Sequence, residues 1–218
     1  MGSQLEQVKT VCCQLDDKRV SVRKKAHDRL RDLLNNFQIV AAIDRVSVTG
    51  SASYWTWQDT YRMAFGFLRK EADKLLEDFS KESNSKSAQV AYNKKITAIS
   101  LLKMVIKNGS KYLKWSSVVS DLLQCFQQPF MRKTFAEDIL LLLVEAVNHD
   151  HSRAMLTVTR DRNQWEDMMR SVLSVFEDPP PSTDPLSAAR LLRLCVQHGS
   201  RDCCLLGVLT KVGWIFCD

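Results

Sequence analysis

Glycine is scarce in this sequence, with seven residues scattered singly among 218. Neither GxGxxG nor GxxxxGKS occurs, and these are the loops whose backbone amides hold nucleotide phosphates. We therefore expect no nucleotide-binding loop and no catalytic residues in the chain, and too little glycine for a turn-rich sheet protein.

Long apolar runs and alternating strand patterns are also missing. The longest run of purely apolar residues, 139–144, is far too short to span a bilayer, and the N-terminus carries no apolar signal segment. No stretch alternates β-branched and polar residues in the way that a half-buried strand requires. These absences predict an all-α, soluble, intracellular protein with no membrane partner.

The seven cysteines follow neither a disulfide framework nor a zinc motif. They are odd in number, two pairs are adjacent in sequence, and no CxxC spacing occurs. His149, Asp150 and His151 lie close together, but with no further ligand at suitable spacing they are more typical of a polar turn than of a metal site. We therefore expect free thiols in a reducing compartment, and neither a metal nor another cofactor within these residues.

Apolar residues recur every three to four positions along most of the chain, which predicts amphipathic helices. We expect N-terminal helices over 1–79, with Ser21 capping the second and Thr56 capping a long one. A flexible polar loop over 80–88, helical repeats over 89–177, a proline-rich break over 178–185 and a further helix over 186–204 follow. Helix pairs recur about every 40 to 50 residues, which favours an α-solenoid of HEAT-like antiparallel pairs, with a compact bundle as the alternative.

Positive charge is concentrated near the N-terminus. The stretch 18–31 holds seven basic residues and one acidic residue, so it accounts for the net charge of +6. On a helix beginning near Val20, Val22, Ala26 and Leu30 fall on one side and the charges fan around the rest. The fan indicates either a solubilising face, the commoner case, or a binding patch for acidic protein or nucleic acid.

The same stretch resembles a motif of a known family. QLDDKRVSVRKKAHDRLRDLL is similar to the TAN motif at the N-terminus of the ATM kinase family. Leu15 matches its aliphatic residue, Arg19 and Arg23 its two basic positions, and Lys24 and Lys25 continue the basic run. The sequence departs from the motif at Val22, where the family usually has an acid, and at His27, where an aliphatic residue is usual.

Further segments resemble that family in the same order, so the similarity covers about residues 5–204 in patches. AIDRVS, YWTWQDTYRMAFGFLRKEADKLL, NQWEDMMRSVLSVF and LSAARLLRLCVQHGSRDCC each carry part of it, whereas the tail 205–218 is unmatched. The ordered series is more specific than the motif alone.

The resemblance implies a function that periodicity cannot supply. The chain would be part of a homodimeric serine/threonine kinase that acts in DNA-damage signalling and telomere maintenance. This parent protein would be located in the nucleus, with the cytoplasm as a second location. That parent protein would use ATP and a divalent metal in a kinase domain absent here. In this fragment, Arg19, Arg23, Lys24 and Lys25 would bind DNA-damage recruitment proteins, while Leu15 and Leu30 would fix the motif helix to its neighbours. The alternatives are a purely structural solenoid cap and a DNA-binding module with weak contact through the basic helix.

Overall fold

The computed structural model describes residues 2–49, 54–81, 85–149, 162–181 and 183–198. Every regular element in these ranges is an α-helix, and the all-α prediction is confirmed for this part of the chain. The helices are α1 Gly2–Gln14, α2 Val20–Leu34, α3 Phe37–Thr49, α4 Trp57–Lys81, α5 Ser85–Gly109, α6 Trp115–Gln127, α7 Pro129–His149, α8 Arg162–Glu177 and α9 Pro185–His198.

The sequence predicted capping residues for the starts of α4 and α2, and the structure bears out only one of them. Thr56 caps α4 as predicted, because its hydroxyl accepts a hydrogen bond from the Asp59 backbone N–H while the Asp59 carboxylate accepts one from the Thr56 N–H. The predicted cap at Ser21 is wrong. Helix α2 begins at Val20, two residues earlier than a cap at Ser21 would place its start, and its N-cap, Arg19, makes no capping hydrogen bond with its side chain.

The chain divides into two units, residues 1–113 and 114–218. In the first unit, α4 packs along α5, and α1 packs on α2, α3 and α4. Helices α4 and α5 each have 25 residues, and a connection of three residues spans at most about 15 Å. Since each helix is about 37 Å long, such a pair can pack along its length only if the two run antiparallel.

The connection between α4 and α5 is shorter than the sequence suggested. A loop was predicted over 80–88, but α4 continues to Lys81 and α5 begins at Ser85. Residues 82–84 lie outside the described part of the chain.

Trp57 joins three helices of the first unit. Its indole Nε1 donates a 2.6 Å hydrogen bond to Asp44 Oδ1 on α3, and its backbone N–H donates to Ser47 Oγ at 3.0 Å. Gly109 ends α5 directly against the ring, where an added Cβ would lie 2.9 Å from Trp57 Cδ2. The ring is fully buried, so the end of α5 approaches α4 closely because residue 109 has no side chain.

In the second unit, α6 packs on α7 and α8, and α9 packs on the same two helices. Helix α7 is buried on most sides, as its apolar centre predicted, and only Leu141 of that centre is exposed. Arg132 on α7 donates to the carbonyls of Ser174 and Asp178 at the end of α8, and Glu137 accepts from the Asp184 N–H and Ser187 Oγ at the start of α9.

The remaining predicted segments meet the structure as follows. Helix α8 ends at Glu177 and α9 begins at Pro185, on either side of the proline-rich segment. The last part of the predicted helix over 186–204 and the whole tail 205–218 lie outside the described residues, as do Asp150 and His151. Among the helices that the structure does describe, none has the length and apolar character that a membrane crossing requires.

Candidate functional site

The basic motif occupies the connection between α1 and α2 and the first turns of α2. Leu15, which follows α1, and Leu30, on α2, are 1% and 0% exposed. Both therefore lie in the core of the first unit, where an aliphatic side chain stabilises the contact between neighbouring helices.

Arg23 is buried, and this corrects its assignment as a partner-binding residue. Its side chain is 4% exposed, and Nε donates to Glu71 Oε1 on α4 at 3.0 Å. Nη1 donates to the carbonyls of Asp17 and Lys18 at 2.7 and 3.1 Å. One guanidinium thus ties α2, the α1–α2 connection and α4 together, and it offers no surface to a partner. Sequence periodicity missed this because an arginine on a helix is normally assigned to the solvent face.

A second ion pair ties the same connection to α4. Lys70 Nζ donates to the Asp16 carboxylate and, at 3.1 Å, to the Asp16 carbonyl. Both residues are exposed enough that the pair adds little stability by itself. Together with Arg23 and Glu71, however, it fixes both ends of the turn against one helix, and so it defines the direction in which α2 leaves α1.

Arg19 stays at the surface, but it is bound to a neighbouring acid. Its backbone N–H and its Nε both donate to Asp17 Oδ1, at 2.8 and 3.1 Å, and Nη2 donates to Oδ2 at 3.1 Å. These hydrogen bonds, first from the Arg19 side chain and then from its backbone, lower the pKa of Asp17 from 3.8 to about 2. Arg19 therefore presents a largely neutralised charge to any partner.

His27 takes a buried position where the motif has an aliphatic residue. The side chain is 2% exposed, its ring stacks on Phe67 of α4 with centroids 5.5 Å apart, and Nδ1 lies 3.0 Å from Asp28 Oδ1. The flat imidazole thus packs its face against an aromatic ring and places Nδ1 beside Asp28, while Nε2 is buried without a hydrogen-bond partner among the described residues.

Lys24 and Lys25 are exposed. Arg29 and Arg31 are exposed on later turns of the same helix. Arg31 is 3.9 Å from Asp32, whereas within the described residues Lys24, Lys25 and Arg29 have no ion pair. Of the four predicted partner-binding residues, two are therefore uncommitted, one is paired locally and one is internal.

The described residues include three free cysteines and no cluster of metal ligands. No group of three or more His, Cys, Asp and Glu residues there could hold a metal ion. Cys12, Cys13 and Cys125 are free thiols. Burial raises the pKa of the Cys12 thiol far above its usual range, so this cysteine is an uncharged packing residue rather than a nucleophile.

Comparison with known proteins assigns this arrangement to a family. The family model TAN, described as telomere-length maintenance and DNA damage repair, matches residues 8–172. The chain belongs to the TAN family. A relative of this TAN-family chain, the serine-protein kinase ATM of Sus scrofa, is 23% identical over 204 residues, which cover 89% of the chain. The resemblance to the N-terminal region of the ATM kinases is thereby confirmed.

The match covers only 6% of that relative's length. The TAN-family chain is thus related to DNA-damage and telomere proteins through a region corresponding to a small part of such a protein.

Apolar periodicity did not identify the residues that hold the TAN motif in place. Asp17, Lys70 and Glu71 make the contacts that fix the motif in place. Lys70 and Glu71 lie in YWTWQDTYRMAFGFLRKEADKLL, one of the segments that resemble the ATM kinase family, and that resemblance was the one sequence signal available for them.

Proposed function

We propose that this chain is an N-terminal helical scaffold of an ATM-like DNA-damage and telomere protein, and that α2 binds an acidic surface of a protein partner. The observation that carries this proposal is the division of labour within the motif. Arg23 is internal and fixes the helix, while Lys24 and Lys25 are exposed and have no ion pair among the described residues.

The charge distribution supports a local binding surface. The net charge of the stretch 18–31 equals the +6 of the whole chain, and the charges of all other residues sum to zero. A concentrated patch on a rigid helix steers an acidic partner to one place. The contacts of the α1–α2 connection with α4 supply that rigidity.

The broader context is part of the same proposal. The helix pairs would be units of a HEAT-like array, as the packing of α4 along α5 and of α6 on α7 supports. By analogy with the ATM relative, the whole protein would be a nuclear serine kinase that uses ATP and a divalent metal, and the region present here would contribute binding rather than catalysis.

The test is a pull-down from nuclear extract with the whole chain, its Lys24→Glu/Lys25→Glu variant and a Lys107→Glu/Lys111→Glu variant. The last pair are exposed lysines elsewhere in the first unit, so the two variants carry the same change in charge. Circular dichroism first establishes that all three proteins are equally helical.

We expect a defined set of proteins, identified by mass spectrometry, to be lost with the Lys24/Lys25 variant and retained with the Lys107/Lys111 variant. Equal capture by all three would contradict the proposal. The motif would then be only a structural cap. This is the second candidate function, and the burial of Arg23 favours it as the role of that residue.

A further inference from the structure

The exposed basic residues of α2 lie on two sides of the helix, called flanks below, and each flank borders a different part of the protein surface. Residues three or four apart on a helix are neighbours on one face. Lys25 and Arg29 therefore form one row, and Lys24 and Arg31, two turns apart, lie on the other flank. The two rows carry equal charge, so what lies beside each decides how it can be used.

Beside Arg29, the surface has a depression between α2 and α1. Its volume is about 290 Å³, and it is lined by Glu6, Gln7, Thr10, Val11 and Arg29. Gln7 and Thr10 are exposed polar residues, and Val11 is only 1% exposed. The depression therefore has polar α1 side chains and an arginine at its rim, and its volume is at the lower end of the range for small ligand sites, about 300 Å³.

The charges around this depression favour an acidic ligand. Arg29 and Lys25 have no ion pair within the described residues, so a bound carboxylate would not have to displace an existing partner. Glu6 is the single acid of the lining, and it lies 3.8 Å from Lys9. On the opposite flank, Arg31 already has Asp32 at 3.9 Å. Asp28 and Asp32 follow Lys25 and Arg29 by three residues and border this row as well. Asp28 lies 3.0 Å from His27 Nδ1 and Asp32 lies beside Arg31, and neither forms an ion pair with Lys25 or Arg29 within the described residues.

The spacing of the row fits an extended peptide. Four residues of helix correspond to a rise of about 6 Å, and alternate side chains on one side of an extended chain are about 7 Å apart. Two acids separated by one residue would thus meet Lys25 and Arg29 in turn. Because each exposed ion pair contributes only a little, the affinity would depend on both contacts being made together.

We infer that the depression between α1 and α2, with Arg29 in its lining and Lys25 one turn earlier on the same row of α2, is a docking site for an extended acidic peptide segment of the form acid-x-acid. This inference rests on the proposed function, since it names the part of α2 that recognises the acidic partner. It places the specific contacts on the Lys25–Arg29 row and leaves Lys24 and Arg31 to contribute only to the general positive charge of α2.

The test uses the whole chain and a short fluorescein-labelled peptide with aspartate at two alternate positions, followed by fluorescence anisotropy. A second peptide with asparagine at both positions measures the contribution of the charges. We expect Lys25→Glu/Arg29→Glu to weaken binding about tenfold or more, and Lys24→Glu/Arg31→Glu, which changes the charge equally, to weaken it about twofold at most.

A variant that leaves the net charge unchanged tests whether the depression itself contributes to peptide binding. Thr10→Trp, at an exposed position of α1, should fill the depression without altering net charge, and we expect it to weaken peptide binding severalfold while circular dichroism is unchanged. Wild-type binding by Thr10→Trp would overturn the inference.

The remaining outcomes distinguish this inference from the proposed function. If the Lys25/Arg29 and Lys24/Arg31 variants weakened peptide binding equally, α2 would be a general anion-binding face and the inference would be wrong. The same conclusion would follow if a short DNA duplex displaced the peptide equally well from the two variants. The nuclear partners would still be lost with the Lys24/Lys25 variant in that case. If those partners were retained, the proposed function itself would be wrong.

Discussion

At the scale of single residues, the basic motif divides into internal and surface arginines and lysines. Arg23 replaces part of its contacts with water by three hydrogen bonds, from Nε to Glu71 and from Nη1 to two carbonyls. These bonds offset part of the cost of burying a guanidinium, while Nη2 is buried without a hydrogen-bond partner among the described residues. Arg19, four residues earlier, remains in water and pairs with Asp17. Two arginines of one motif thus contribute in different ways, one to folding and the other to the local conformation of the turn.

Replacement of Arg23 tests its internal role. We expect Arg23→Ala to lower the free energy of unfolding by about 2 to 3 kcal/mol, because Glu71 and the carbonyls of Asp17 and Lys18 lose a charged donor. Lys24 is next to Arg23 but exposed, and Lys24→Ala should change the free energy of unfolding by about 0.5 kcal/mol or less. Arg23→Lys should be intermediate, since an ammonium cannot donate in the same planar arrangement.

Urea denaturation followed by circular dichroism measures these differences. If Arg23→Ala left stability unchanged and abolished partner capture, Arg23 would be a binding residue after all, and the buried assignment would be wrong.

The Asp17–Arg19 pair predicts a defined acid response. The pKa of Asp17 is lowered from 3.8 to about 2 in the folded chain, so the pair stabilises the fold above pH 4 and this contribution is lost as the pH falls from about 4 to about 2. The difference in Tm between wild type and Asp17→Asn should therefore shrink across that window. Asp32→Asn, at an exposed carboxylate of α2, is the control for general acid effects.

A direct titration of the Asp17 carboxyl by NMR should give a midpoint near 2. A midpoint at the ordinary value, or a Tm difference independent of pH, would show that the hydrogen bonds from Arg19 do not persist in solution.

At the scale of elements, close backbone approach decides how the helices of the first unit meet. The long α4 begins at a capping box, and its first residue, Trp57, immediately contacts Asp44 on α3 and Gly109 at the end of α5. A glycine usually weakens a helix by about 1 kcal/mol relative to alanine. Here it is at a position where any Cβ would enter the indole ring.

Gly109→Ala should therefore destabilise the chain despite the better helix propensity of alanine. The new Cβ would lie 2.9 to 3.0 Å from three Trp57 ring atoms, and overpacking of this kind costs about 1 to 3 kcal/mol. We expect a net loss of about 1 kcal/mol or more in urea denaturation, with a changed near-ultraviolet spectrum from the displaced indole.

Combination with Trp57→Phe provides the control, because a phenyl ring lacks part of the indole surface that the Cβ would meet. The two substitutions should be non-additive, with Gly109→Ala costing less in the phenylalanine background. Strict additivity would show that the steric contact does not cause the loss.

At the scale of the whole molecule, the uneven charge distribution governs association. The net charge of the stretch 18–31 equals the +6 of the whole chain, and its effect on a partner depends on the distance over which salt screens it. Partner capture should therefore fall severalfold between about 0.1 and 1 M salt, as the screening length shortens from about 10 to about 3 Å. Helicity, which depends on the apolar core, should not change.

The same salt series separates a protein partner from nucleic acid. Binding to duplex DNA would give a log–log slope of about one unit for each phosphate contacted, whereas two or three ion pairs to a protein surface give a shallower dependence. Capture that is independent of salt would contradict both electrostatic interpretations and leave the structural role of the motif.

The sequence by itself determined the helical class, most helix positions and the family. Apolar periodicity identified the helices because each must bury one stripe, and local capping chemistry placed the start of α4 at Thr56. The ordered resemblance to the ATM kinases needed only the linear order of motifs. The loop predicted over 80–88 was too long because a polar composition does not prevent a helix from continuing.

Only the tertiary structure decided which basic residues are available to a partner. Arg23 and Lys24 are adjacent and both basic, yet one is 3% exposed and the other is on the surface. The difference depends on Glu71, 48 residues away in sequence, being brought opposite Arg23. A charged side chain is buried only where the fold supplies its counterion and acceptors, and no local pattern specifies where a distant helix will place them.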